Sequence, residues 1–287
     1  MINASLTGGE CLTYPGFDEI YLYLHELGIK RAILSNGYFM DKERIEFLQK
    51  YPPRKIQISL YGSSDEAYEK VTGVRAFDRV YKNILMLRDS NLNTSVAITP
   101  NEYMVDDMYA IIDLVSNIGL PYSINTGLIT PRSNTGRKKR SLELDKFIEM
   151  LQYSDKLKHL EHETVDLIDL PDENHEGRER EGLLCGGARS GFTIKYDGTM
   201  SPCAALENLS SEPLKIGFQN AWNEIVQKAD RYPIPQECED CVYKPSCIHC
   251  VAMHKDAPCF GHCDPRICER TKKMISAGLL PMPKRNS

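Results

Sequence analysis

Short β-branched runs that alternate with longer amphipathic stretches predict an α/β fold around a parallel sheet in the front of this chain. A second observation splits the molecule: nine of its ten cysteines lie between Cys185 and Cys268, and only Cys11 stands outside that window. Such crowding predicts a small cysteine-rich α+β lobe behind the α/β part. The expected domains are residues 1–135, a helix and linker over 136–184, and the cysteine-rich lobe over 185–287.

The elements follow in order. Ile2 to Leu6 reads as a strand that runs into Thr7-Gly8-Gly9-Glu10. Phe17, Ile20, Tyr21, Leu24 and Leu27 recur at helical spacing, with Gly28 as the C-cap. Arg31 to Ser35 is the next strand and ends in Asn36-Gly37. Asp41 is placed to N-cap a helix that buries Ile45 and Leu48 and stops at Pro52-Pro53. Ile56, Ile58 and Leu60 alternate along a strand from Lys55, and Phe77, Val80, Tyr81, Ile84 and Leu87 stripe the following helix. Thr94 to Ile98 is a strand. Met108, Ile111, Ile112 and Val115 stripe a helix that ends at Gly119, and Tyr122 to Asn125 is a fifth strand. This order implies right-handed βαβ units, and five strands are too few to close an eight-stranded barrel.

Chemistry in parallel α/β architectures gathers at the carboxy-terminal strand ends. Thr7-Gly8-Gly9-Glu10, Ser35-Asn36-Gly37, Ser59-Leu60-Tyr61-Gly62 and Thr99-Pro100-Asn101 all fall there. Each alone is an ordinary turn or a local backbone contact. Together they place four polar strand ends on one rim, as a small-molecule site requires.

Composition narrows the classes further. With 41% hydrophobic and 26% charged residues and a net charge of −5, the chain reads as a soluble globular protein without a field for nucleic acid or an anionic membrane. The basic run Arg137 to Arg140 reads as a solvated loop. No apolar stretch approaches the length of a membrane span, and the first residues do not read as a signal peptide. The expected location is therefore cytoplasmic, where dense cysteine favours metal thiolates over disulfides.

In the last third, Leu144, Phe147, Ile148 and Leu151 mark a helix, and Asp172 to Glu181 is a charged linker. Phe192, Ile194 and Tyr196 alternate into Asp197-Gly198, a hairpin signal that carries Cys185 and Cys203 toward the same end. Phe218 to Ala229 reads as an amphipathic helix around Trp222 and Ile225. The final block is Cys238-x2-Cys241-x5-Cys247-x2-Cys250, followed by Cys259, Cys263 and Cys268. A Cys-x2-Cys turn aims two thiolates at one centre, in zinc and iron–sulfur sites alike, and spacing alone leaves both open. Nine cysteines suffice for two four-thiolate sites with one left over. His249, His254 and His262 read as solvated or structural rather than as ligands. Cys11 reads as a small buried hydrophobe.

The order Thr-Gly-Gly-Glu, Ser-Asn-Gly, Ile-Ser-Leu-Tyr-Gly and Phe77-Asp78-Arg79-Val80 resembles a radical S-adenosylmethionine (radical SAM) enzyme read from its second strand onward. The resemblance implies a partial (β/α) barrel of the radical SAM type missing its first strand. In that family Gly8, Gly9 and Glu10 would meet the methionine amino group of S-adenosylmethionine, which suits backbone carbonyls and a carboxylate. Ser35, Asn36 and Ser59 would face its ribose and carboxylate. The cysteine pattern from Cys185 onward resembles the SPASM extension found on peptide-modifying members, which holds two auxiliary [4Fe–4S] clusters. By that resemblance Cys185, Cys203 and Cys250 ligate the barrel-proximal cluster, and Cys238, Cys241, Cys247 and Cys268 the distal one. The block departs from the family in having only Ile248-His249 before Cys250, which leaves Cys259 and Cys263 as competing ligands. Ala204 stands where sulfatase maturases often carry an aspartate, which favours ribosomal-peptide maturation.

The family's catalytic loop, Cys-x3-Cys-x2-Cys, does not occur before Thr7 or elsewhere in the barrel part. The 287 residues are therefore expected to bind S-adenosylmethionine weakly or not at all and to perform no radical chemistry alone. Either the true start lies upstream or the protein is a degenerate relative or a fragment, with an exposed edge at the first strand. The implied partners are a peptide or small-protein substrate and a reductant protein. Two rival classes are a non-catalytic iron–sulfur electron-transfer partner and a zinc-stabilised interaction module.

Overall fold

The structure is a computed structural model that describes residues 3–125, 142–160, 183, 185–233, 236–238, 241–247, 250 and 265–281. The linker 172–181, the basic run 137–140, His249, His254, His262, Cys259 and Cys263 lie outside the described residues. The chain divides into two compact units, Met1–Val165 and Asp166–Ser287.

In the first unit, strands β1 (Asn3–Leu6), β2 (Lys30–Ser35), β3 (Lys55–Leu60), β4 (Thr94–Ile98) and β5 (Tyr122–Ile124) form one sheet in sequential order. Every neighbouring pair is parallel. Between and after the strands come helices α1 (Phe17–Glu26), α2 (Lys42–Lys50), α3 (Asp65–Thr72), α4 (Phe77–Arg88), α5 (Met108–Ile118) and α6 (Leu144–Leu160). All five predicted strands are present, within a residue or so of their expected bounds. Asp41 caps α2, its carboxylate accepting from Arg44 N at 3.0 Å, and Gly119 ends α5 in the left-handed conformation.

Sequential order with right-handed crossovers places successive helices on the same side of the sheet. Register bears this out. Ile33, Ile56, Ile58, Leu60, Val96 and Ile98 share one face, are fully buried, and pack with Tyr21, Leu48, Ile84 and Ile111 of the helices. Each such aliphatic side chain contributes about 1.5–3 kcal/mol relative to exposure. The opposite face carries Ser5, Ala32, Gln57, Ser59, Ser95, Ala97 and Ser123, because alternate residues of a strand point to opposite sides. Leu34, Lys30 and Lys55 share this face, which is more polar than the aliphatic helix side.

Helix α3 has no counterpart in the hydrophobic pattern. Ser64 N-caps it by accepting from Ala67 N at 3.2 Å, Gly73 closes it at φ +80°, and only Tyr68 is buried. Caps rather than an apolar stripe define it.

The second unit has the expected hairpin, β6 (Thr193–Ile194) antiparallel to β7 (Met200–Ser201). Asp197 holds its turn by accepting from Thr199 N at 2.9 Å and Thr199 Oγ1 at 2.7 Å. Helices α7 (Pro213–Ile216), α8 (Phe218–Asp230) and α9 (Pro265–Ser276) follow. Leu183, Met200, Leu206, Ala221 and Ile225 form a core of their own.

Candidate functional site

The first region is the rim of the sheet. Glu10 leaves β1 through the two glycines and caps a short turn over Cys11–Thr13, with Leu12 N donating to Oε1 at 3.1 Å. Across the rim, Ser35 Oγ lies 3.0 Å from both carboxylate oxygens and Asn36 N donates to Oε2 at 2.7 Å. The parallel pairing of β1 with β2 makes this contact, since it brings two strand ends 25 residues apart side by side. The carboxylate is thereby fixed with its charge compensated by donors. A Cβ on Gly8 or Gly9 would meet nothing within 4 Å, so the backbone beside Glu10 borders open space.

The Asn36-Gly37 end is held from behind. Gly37 has φ +79°, and a Cβ there would stand 2.7 Å from Ile58 Cγ2. Asn83, buried on α4, donates to the Gly37 and Tyr38 carbonyls at 2.8 and 3.2 Å. Arg79 donates to the Tyr38 carbonyl at 3.0 Å with its guanidinium 4.0 Å from the Tyr38 ring centre. The Phe77-Asp78-Arg79-Val80 stretch thus buttresses the rim. At β3, a Cβ on Gly62 would stand 2.6 Å from Tyr68 N, so glycine is what lets α3 approach the strand end.

Of the rim residues the sequence singled out, Glu10, Ser35 and Asn36 are together. Ser35 is 4% exposed, and its hydroxyl also accepts from Gly37 N at 3.0 Å. Ser59 lies on the face opposite to Ser35 in the pleat, because Ser35 pairs with Ile58. Tyr68 was not visible as a site residue. Burial, with Tyr61 and Glu10 nearby, holds its hydroxyl above the ordinary phenol range. Burial, then the Glu10 charge, pushes the Cys11 thiol up to about 12, so it stays protonated, 3.8 Å from Glu10 Oε1 and 3.7 Å from the Leu34 carbonyl.

The second region is sulfur-rich. Cys238, Cys241, Cys247 and Cys268 line one small cavity with Tyr243, Lys244 and Thr271. Two short 3-10 turns, Gln236–Cys238 and Lys244–Ser246, bring in the first three cysteines, and α9 delivers the fourth. Burial pushes the Cys247 thiol up; Thr271 pulls it down, and Cys268 and Cys241 raise it again. Their mutual influence reflects their closeness. Among the described residues, no three His, Cys, Asp or Glu side chains converge tightly enough for one metal ion. Cys185 and Cys203 flank the hairpin, and a Cβ on Gly187 would stand 3.5 Å from Cys185 Sγ and 3.3 Å from Pro202 Cβ. Cys250 acts electrostatically on the buried Tyr232. These three do not line the four-cysteine cavity.

The rim is thus a carboxylate held by donors at the carboxy-terminal strand ends of a sequentially wound parallel sheet. Residues 3–115 match the family model of the Radical SAM superfamily. Among curated relatives, the chain is 27% identical over 239 residues to the sporulation killing factor maturation protein SkfB of Bacillus subtilis (strain 168), covering 83% of this chain and 56% of that protein. It is 24% identical over 269 residues to the antilisterial bacteriocin subtilosin biosynthesis protein AlbA of the same strain, covering 92% and 56%. The chain thus spans a little over half the length of these relatives. In fold it is similar to Streptococcus suis SuiB bound to S-adenosylmethionine, with TM-score 0.70 and 17% identity over 93% of this chain and 66% of that one.

Proposed function

We propose that the chain is a radical SAM/SPASM-type iron–sulfur protein related to cytoplasmic maturases of ribosomal peptides, with a weak or lost S-adenosylmethionine site and auxiliary iron–sulfur clusters. The observation that carries this reading is the cavity lined by Cys238, Cys241, Cys247 and Cys268. Four thiolates around one space are the donor set of a [4Fe–4S] cluster. A four-thiolate set suits zinc as well, and the resemblance of the cysteine pattern to the SPASM extension is what favours iron–sulfur here. Cys185, Cys203 and Cys250 are then the ligands of a second cluster, with Cys259 or Cys263 available to complete either set.

At the rim, Glu10 would receive the methionine ammonium beside the open backbone of Gly8 and Gly9, and Ser35 would act by fixing that carboxylate. Asn36 and Ser59 would meet the remaining polar groups. The relatives' names, a killing-factor maturation protein and a bacteriocin biosynthesis protein, support a peptide as substrate. In the intact family a catalytic cluster supplies the electron that cleaves S-adenosylmethionine and starts hydrogen abstraction. These 287 residues carry no Cys-x3-Cys-x2-Cys loop, so the chain alone is expected to release no 5′-deoxyadenosine.

Anaerobic purification followed by iron, sulfide and zinc analysis tests the reading. A brown protein with broad absorption near ~400 nm and matched iron and sulfide is expected. A colourless protein carrying stoichiometric zinc contradicts it. Incubation with S-adenosylmethionine and dithionite then tests competence, and 5′-deoxyadenosine from this chain would overturn the assignment of the missing loop.

A further inference from the structure

One wall residue of the four-cysteine cavity is neither a thiol nor exposed. Thr271 is 3% exposed and lies on α9 three residues after Cys268, so the two share a helix face. Its Oγ1 lies 3.6 Å from Cys247 Sγ and 2.9 Å from the Ile267 carbonyl. The hydroxyl has one proton for these two acceptors. Bonding back to the carbonyl four residues earlier is the usual habit of a helical threonine. A sulfur bearing negative charge is the stronger acceptor, since charge-assisted hydrogen bonds are roughly twice as strong as neutral ones.

We propose that Thr271 donates to the Cys247 sulfur when that sulfur ligates iron, and that it thereby raises the reduction potential of the cluster held by Cys238, Cys241, Cys247 and Cys268. The inference rests on the iron–sulfur reading above. Reduction adds one electron to the cluster and moves no proton, leaving the four-thiolate centre one charge more negative. A donor aimed at a ligating sulfur stabilises that reduced form more than the oxidised one. Lys244 in the same wall acts in the same direction. Thr271 is thus a positioning residue that sets this centre to accept electrons.

The test is a redox titration of the full chain with dithionite as the one-electron reductant, followed by electron paramagnetic resonance. Thr271→Val removes the hydroxyl at nearly constant volume, and Thr271→Ser restores it. With iron and sulfide unchanged, Thr271→Val is expected to lower one midpoint by about tenfold in the reduction equilibrium, or about 59 mV for one electron. Thr271→Ser is expected to return it close to wild type. A Thr271→Val protein with full iron content and unshifted midpoints overturns the inference and leaves the iron–sulfur reading standing. A wild-type chain that binds zinc and no iron overturns both. Should the valine variant fail to assemble its cluster, Thr271→Ala removes the same donor with less crowding and is read in the same way.

Discussion

Ser35 and Glu10 show how a single contact organises the rim. The serine hydroxyl is shared by both oxygens of a half-buried carboxylate, and Asn36 N completes the cradle. Ser35→Ala should therefore cost about 1.5–3 kcal/mol, the range for hydrogen bonds to charged groups, read as a shift in the urea unfolding midpoint. A change below about 0.3 kcal/mol would show the contact to be incidental. Cys11 offers a chemical check. With its thiol pushed up to about 12, almost no thiolate is present near pH 8, so iodoacetamide should modify it far more slowly than a model thiol of pKa 9.0. The sign for stability follows from linkage. The folded-state pKa lies above the unfolded one, so the contribution of this group is full below about pH 9 and is lost as pH rises toward about 12. Cys11→Ala should remove that alkaline slope. The sequence marked Glu10 and Ser35 as separate strand-end residues. It could not reveal their contact, because only the register of β1 against β2 brings them together.

At the scale of elements, the rim depends on two loops braced by helices. Gly62→Ala would press a methyl group to 2.6 Å from Tyr68 N, backbone that cannot swing aside. The expected result is α3 displaced from the end of β3 and a loss of more than about 2 kcal/mol in chemical denaturation. Asn83→Ala should cost about 1–3 kcal/mol, because two loop carbonyls lose their buried donor. Strands and long helices were legible because their apolar residues recur at periods of two or near four, as in Ile56, Ile58 and Leu60. Helix α3 was not, since it buries only Tyr68 and is defined by the Ser64 and Gly73 caps. Helix α9 was hidden for a different reason. Its buried face is Ile267, Arg270, Thr271 and Met274, which does not read as an apolar stripe.

On the scale of the whole molecule, the chain combines a sequentially wound parallel sheet with a cysteine-rich unit, and each has its own core. The sheet was predictable from alternation, and the cysteine unit from composition alone. Spacing alone did not say which cysteines share a site; the resemblance named Cys238, Cys241, Cys247 and Cys268 together, and the placement of α9 brings Cys268 to the cavity that the other three line. No described helix is long and apolar enough to cross a membrane. The proposal that the lobe cages iron and sulfide bears hardest on that four-cysteine cavity. Its most direct test is the iron content of an anaerobically reconstituted Cys247→Ser, Cys268→Ser double variant against the parent chain, with circular dichroism to confirm that both are folded. The expected result is a loss of about four iron atoms per chain with matched sulfide, the content of one cubane cluster. An unchanged iron content, or a parent chain that takes up zinc and no iron, would contradict it.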